Sequence, residues 1–312
     1  MAESSLTTVS GLWSPVAIML LGVLVLGAAC LDGVLTARAE GESGSGMTRP
    51  LRECARLMRQ RRRTTVSADR LLRQIGGAGL VVVASLMIAV VPLGRWTLLD
   101  LDVGIVWFNA LDVMVWALVW LSGWGPNSAY SLIGGYRFLA HGLGYELPLM
   151  FALVAPAIAA QSLRVGDVAH AQQQLWFAVW MPAAFVVYCI GVAGFSMWGP
   201  FSPALGTDIA GGAGAELSGV DRLLFFGGRY ALLAAGSAFA VPIFLGGGAG
   251  PLLPEWLWVM GKAGVLLALL VVLRRRVPAL RPDLFMEMGW VVLLPIAVIQ
   301  DLLVAVIVVR RG

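Results

Sequence analysis

Apolar residues fall in eight long blocks along the chain, separated by shorter stretches that hold most of the charge. A bilayer core of about 30 Å needs about 20 residues at 1.5 Å each. On that length, spanning helices are predicted at about 12–35, 74–94, 103–123, 143–162, 175–198, 221–246, 252–273 and 286–308. Helices are the expected form, because an open chain in lipid can satisfy its backbone groups only within itself. The longest polar segment, 36–73, is too short for a separate soluble domain. The prediction is an all-α polytopic membrane protein, with 1–312 as a single membrane domain.

Composition sharpens this. The chain is 59% hydrophobic and 13% charged, with mean hydropathy +0.84. A soluble domain is nearer half apolar and a quarter charged. The first apolar block lacks a preceding basic region, so it is expected to span rather than to be cleaved. Cys30, Cys54 and Cys189 are odd in number and widely spaced, so neither a disulfide framework nor an iron–sulfur site is expected.

Charge sets the orientation. Segment 36–73 holds ten Arg against four acids, and 274–283 holds Arg274, Arg275, Arg276 and Arg281 against Asp283. These segments follow the first and seventh spans, so they share one side, the cytoplasm by the positive-inside rule. The N-terminus is then expected outside; few Lys beside many Arg, Gly and Ala suggest a high-GC bacterial genome and so a bacterial plasma membrane. Arg310 and Arg311 run against this but are outnumbered.

Within 36–73, the run TRPLRECARLMRQRRR places Leu51, Cys54, Ala55 and Met58 at i, i+3, i+4 and i+7, with Arg49, Arg52, Arg56 and Arg59 elsewhere. An amphipathic helix lying at the membrane interface is predicted, either as an anionic-lipid anchor or as a docking surface for a partner. A Gly/Ser stretch, 41–46, precedes it as a flexible lead. The loop 211–219 is rich in glycine but lacks the Lys-Ser/Thr ending of a phosphate loop, so nucleotide binding is not expected there.

Ionisable groups at membrane depth cost a few kcal/mol each, which makes each a candidate for function. Here they are Asp32, Asp112, Glu146, Arg229, Lys262 and Asp301. They are read either as static ion pairs or as proton carriers. Asp32 and Glu146 are expected near cytoplasmic helix ends, and His141 is expected as a polar residue at the end of a loop. No nucleophile–base pair or dinucleotide fingerprint is found, so catalysis by this chain alone is not expected.

The stretch GWGPNSAYSLIGGYRFLAHGLGYELP, 123–148, resembles the third loop and fourth helix of one membrane-subunit family, the H subunit of proton-pumping NADH-quinone oxidoreductase, bacterial complex I. The matching residues are Gly123, Trp124, Asn127, Tyr130, Leu132, Gly134, Arg137, Tyr145, Glu146 and Pro148. The segment 274–295 is similar to that family through Arg274, Pro278, Arg281, Asp283, Met286, Gly289, Trp290 and Pro295. So are 216–231, ELSGVDRLLFFGGRYA, and the first loop through Pro50, Glu53, Arg56 and Leu57. Asp32 falls where the family has a glutamate.

The resemblance implies a membrane anchor that helps form a quinone chamber and couples electron transfer to proton translocation. Arg137, Tyr145, Glu146, Arg281 and Asp283 would line the chamber. Asp32, Asp112, Glu146, Asp208, Glu216 and Arg229 would serve ion coupling. Arg49, Arg52, Arg56, Arg59, Arg274, Arg275 and Arg276 would dock partners. The implied partners are iron–sulfur peripheral-arm subunits and antiporter-like membrane subunits. Quinone is the substrate, and the chain itself would bind no cofactor.

Departures cluster in the fifth loop, 194–212, where the family has a run of acids around a Pro-Phe-Asp core. Here Pro200 and Phe201 remain, Ser202 replaces the aspartate, Phe195 stands for a glutamate and Trp198 for an arginine. Arg229 stands for a glutamate, and pairing with Asp112 is expected to compensate. The equivalent subunit of a membrane-bound hydrogenase or ferredoxin-linked relative is the alternative, then a non-redox carrier or scaffold.

Overall fold

The computed structural model describes residues 6–41, 46–206 and 211–311. Among the described residues, eight helical segments are long and apolar enough to cross a membrane, and each overlaps a predicted span. In chain order the elements are β1 (Thr7–Thr8), α1 (Ser14–Ala39), α2 (Arg49–Arg59), α3 (Arg70–Ile88), β2 (Trp96–Thr97), α4 (Gly104–Trp124), α5 (Ala129–Ala160), α6 (Val165–Ala171), α7 (Phe177–Trp180), α8 (Pro182–Phe195), α9 (Gly219–Phe244), α10 (Glu255–Leu273), α11 (Pro282–Met288) and α12 (Leu294–Arg311). Most of the Gly/Ser lead, 42–45, lies outside the described residues.

Burial orders the bundle. Helix α9 is the core, with 78% of its most apolar window buried, and α3 packs along it. At the rim, α1, α10 and α12 bury only 22%, 33% and 28% of theirs. Their remaining apolar side chains face outward, as lipid or partner helices require. Inside, Phe108 of α4 stacks on Phe239 of α9 at 3.8 Å.

Three spans differ from prediction, each for a local reason. The fourth, predicted at 143–162, begins at Ala129. Ser128 and the left-handed Asn127 (φ 51°) turn the chain there, a conformation asparagine tolerates. The added turns carry Arg137 and His141, whose polarity hides a helix from a hydropathy window. The fifth, predicted at 175–198, is broken between α7 and α8 at Pro182, which cannot donate an N–H and disfavours helix before it. The eighth, predicted at 286–308, runs from Pro282 through a π-helical turn at Gly289–Leu293.

The two-residue strands β1 and β2 pair in parallel, so the N-terminus and the loop after α3 share one end of the bundle. The arginine-rich loop is sewn to the other. Arg63 N donates to Ser218 Oγ at 2.7 Å and Gly219 N to Gln60 Oε1 at 3.2 Å. Asp69 caps α3 by accepting from Leu71 N and Leu72 N. Helix α2 buries Leu57 towards α9 and leaves Leu51 and Met58 exposed, as an interfacial helix would. The Arg56 guanidinium beside Glu53 holds its carboxyl below the usual range.

Candidate functional site

Three polar clusters interrupt the apolar interior. The first lies between α4 and α5. Asp112 is fully buried, and both its carboxylate oxygens lack a hydrogen-bond donor. Glu146, in the middle of α5, which packs against α4, also has both oxygens buried and without a hydrogen-bond partner. Asn109 and Trp116 flank them, with Asn109, Asp112 and Trp116 at i, i+3 and i+7 on one face of α4. Trp116 Nε1 donates to the Tyr145 hydroxyl at 3.1 Å. Glu146 is therefore deeper than its predicted place at a helix end, because α5 starts earlier than its hydropathy indicates.

The second cluster joins α1, α9 and α10. The carboxylate of Asp32 accepts from Tyr230 Oη at 2.9 Å, Arg274 Nη1 at 3.0 Å and Arg275 Nη2 at 3.3 Å. Arg274 and Arg275 are thus used inside the chain, while Arg276 is exposed. A groove of about 550 Å³ opens beside Asp32 and Tyr230 between α1, α2 and α9. Its walls are mostly apolar, with Arg49, Glu53 and Arg222 at one end.

The third cluster is the fifth loop. Arg229 is 3% exposed, and its Nε donates to Ser196 O at 3.2 Å and Met197 O at 3.1 Å. Its guanidinium lies 4.2 Å from the Trp198 ring, and Arg274 covers the same ring at 5.0 Å. The expected Asp112–Arg229 pair is not formed: Arg229 is spent on carbonyls and an indole, and both Asp112 oxygens are buried without a hydrogen-bond partner. Trp198 and Arg229 thus form a cation–π contact at positions where the resemblance leads one to expect an arginine and a glutamate. Met197 is left-handed (φ 52°), unusual for an unbranched bulky residue, and its carbonyl is one that Arg229 grips.

The remaining predicted residues are spread along the arginine-rich end. Arg137 Nη1 donates to Pro203 O and Gly211 O, both at 3.3 Å, so it braces the fifth loop. Glu216 accepts from Ser128 Oγ at 2.9 Å. Arg281 and Asp283 pair with each other at 2.6 Å in exposed positions. Arg52, Arg56 and Arg59 are exposed on α2. Asp208 lies outside the described residues. His141, expected at a loop end, is fully buried in α5, edge-on to Phe201 and Phe285 at 5.3 and 6.0 Å. Asp301 is buried on α12, with neither oxygen given a donor.

Two features escaped the sequence. Arg73 and Asp221 form an ion pair at 3.0 Å with both side chains 3% exposed. Lys262 meets no acid. Its Nζ donates to Leu245 O, Gly247 O and Ala249 O at 2.8, 2.9 and 3.0 Å, closing the end of α9 beneath the Trp176 ring. Lys262→Met is expected to destabilise the protein by about 2–3 kcal/mol, since three carbonyls lose a charged donor. Thermal unfolding in detergent measures this.

Known proteins share this chain from end to end of the bundle. The family described as NADH dehydrogenase matches residues 14–305, from the start of α1 into α12. The chain is 34% identical over 277 residues to the first NADH-quinone oxidoreductase H subunit of Geobacter metallireducens, covering 85% of this chain and 84% of the relative. It is 34% identical over 269 residues to the second such H subunit of Geobacter sulfurreducens, covering 83% and 82%. The second one of Syntrophobacter fumaroxidans is 31% identical over 278 residues, covering 86% and 84%. The chain belongs to the NADH dehydrogenase family, alongside these membrane subunits of complex I.

Proposed function

We propose that the chain is the membrane anchor of a complex I-like NADH-quinone oxidoreductase, placed in a bacterial plasma membrane with its N-terminus outside. The observation that carries this is the family likeness across 14–305, joined to a mostly apolar groove lined by Asp32 and Tyr230. Quinone is apolar and dissolves in lipid. A groove between α1, α2 and α9 lets its head approach the arginine-rich end without crossing water. Electrons would arrive from iron–sulfur clusters on peripheral-arm partners. The buried carboxyls of α4 and α5 would pass an ion towards antiporter-like membrane subunits, and the exposed arginines of α2 would meet the peripheral arm.

Purification of the tagged chain from its native membrane in mild detergent tests this. Co-purified iron–sulfur and antiporter-like subunits, with inhibitor-sensitive quinone reduction, are expected. Recovery of the chain alone would remove the reading. Gly227 lines the groove, and a Cβ placed there meets nothing within 4 Å. Gly227→Phe should therefore fold, fill the groove and raise KM for quinone on the order of tenfold. Gly227→Ala should stay near the native value.

One observation favours a second reading. Phe195, fully buried, and Ser202 stand in the fifth loop where the family resemblance leads one to expect a glutamate and an aspartate. A membrane subunit of a hydrogenase-type or ferredoxin-linked relative would tolerate that loss. Partners with hydrogenase or ferredoxin activity, and no response to quinone, would decide for it.

A further inference from the structure

An apolar cavity of about 460 Å³ lies at the end of the bundle away from the arginine-rich loop. Local pairing builds it. Strands β1 and β2 join the N-terminal segment to the loop after α3, with Thr7 N donating to Arg95 O at 2.8 Å and Val9 N to Thr97 O at 2.9 Å. That pairing brings Val9 and Trp13 to the same cavity as Leu93 and Trp96. Trp13, Val16, Ala17 and Leu20 follow i, i+3, i+4 and i+7, so the cavity runs about 10 Å along α1 at 1.5 Å per residue. Apart from three indoles, the lining carries one polar side chain, Thr97, whose hydroxyl already donates to Leu99 O at 3.2 Å. What enters the cavity must therefore be hydrocarbon.

The rim is charged. Arg95 Nε donates to Glu255 Oε1 at 3.3 Å, with the side chains 74% and 45% exposed. Gly94 permits this meeting: it is left-handed (φ 68°), and a Cβ there would lie 2.5 Å from Glu255 Cβ. Among the described residues, the bond uses only Nε and Oε1, so both Nη groups of Arg95 and Glu255 Oε2 remain open. Trp96 and Trp256 directly follow these two charges, and Trp13 stands at the head of α1. Their indole N–H groups meet no acceptor among the described residues. Tryptophans gathered at the ends of spanning helices mark the level where a membrane meets water.

We propose that this cavity binds a membrane glycerophospholipid whose headgroup carries both a phosphate and an amine, of the phosphatidylethanolamine class. One acyl chain fills the cavity, the phosphate takes the Arg95 Nη groups, and the ammonium takes Glu255. The indole N–H groups can donate to the ester oxygens of the glycerol. The site is separate from the groove beside Asp32, which lies along the later half of α1, and does not depend on the quinone reading. Charge selects the occupant. Lipid tails are as apolar as the cavity wall, so a chain gains little by leaving bulk lipid. Retention must come from the headgroup. A paired cation and anion match a headgroup of both signs, whereas an anionic lipid without an amine would satisfy Arg95 and set its charge beside Glu255. A quinone, or an apolar helix of a partner, offers nothing to either charge. A lipid held here braces α1, which buries only 22% of its apolar window, against α3 and α10.

Photolabelling of the protein, purified from its native membrane with its bound subunits, tests the proposal. The probe is a phosphatidylethanolamine with a diazirine in one acyl chain, added in detergent micelles. Label is expected on 13–20 and 93–98. Unlabelled phosphatidylethanolamine should displace it at about tenfold lower concentration than phosphatidylglycerol, the effect of one charge-assisted hydrogen bond. Arg95→Gln should weaken labelling, and Glu255→Gln should level the two lipids. Both positions are exposed, so both variants should fold. Val16→Trp, at a partly open wall, should block the label. No label on these segments overturns the proposal, as does equal displacement by the two lipids, or a preference that survives Glu255→Gln. Displacement by quinone more readily than by phosphatidylethanolamine would overturn it in favour of quinone. Label on the isolated chain but not on the assembled protein would overturn it in favour of a partner subunit.

Discussion

Arg73→Met is expected to lower stability by about 3–5 kcal/mol, the cost of leaving a buried carboxylate without its partner. Asp221 is 3% exposed and lies 3.0 Å from the Arg73 guanidinium. Its other contact, Arg62 at 3.5 Å, is 45% exposed and shared with water. Surface pairs of that kind contribute about 0–1 kcal/mol. Arg62 cannot therefore replace Arg73. The double variant Arg73→Met with Asp221→Leu should recover most of the loss, because neither charge then has to be buried. Denaturation midpoints in detergent for the two single variants and the double decide this. Equal loss in single and double variants would mean that packing, rather than charge, holds α3 to α9. The pair sits where the arginine-rich loop meets α9, beside the Gln60–Gly219 and Arg63–Ser218 contacts. Its loss is also expected to loosen that loop.

Span number and order were legible because length and hydropathy act locally. About 20 apolar residues must leave water wherever they occur in a chain. The start of α5 was not legible. Arg137 and His141 lower the hydropathy of its first turns, and both are accommodated by distant parts of the chain. Arg137 is held by carbonyls of the fifth loop, and His141 by Phe201 and Phe285. The break at Pro182 was written plainly in the sequence, but a hydropathy window averages over it.

For the site, residue types were legible and partners were not. Asp112, Glu146, Arg229 and Lys262 stand out as charges in apolar runs. A sequence offers opposite charges as pairs, yet Arg229 and Lys262 bond backbone carbonyls instead. Such partners leave no trace in residue type, because every residue carries a carbonyl. The flanking of Asp112 by Asn109 and Trp116 could have been found from helical spacing alone. The burial of Glu146 beside α4 could not, because that depends on how α4 crosses α5.

Gly289→Leu is expected to cost about 3 kcal/mol or more, and to displace the last span from α5, since overpacking a close contact forces the backbone to move. A Cβ at Gly289 would lie 2.1 Å from Gly144 O, a backbone atom that cannot swing aside. In the same place the Trp290 side chain donates from Nε1 to Leu143 O at 3.0 Å, which ties the π-helical turn to α5. Gly289→Ala should show a smaller loss, about 1–3 kcal/mol, because only one methyl must be placed. Gly227→Leu supplies the control: it adds the same side chain to a helix where nothing stands within 4 Å. Unfolding of the three variants in detergent should rank Gly289→Leu below Gly289→Ala, and both below Gly227→Leu. Native stability for Gly289→Leu would show that the crossing is not made. Gly144 directly precedes Tyr145 and Glu146. A shift of α5 at this crossing therefore moves the buried Glu146 carboxyl. The glycine of the Gly-Trp motif thus acts by letting a neighbouring helix come close enough to fix where Glu146 sits.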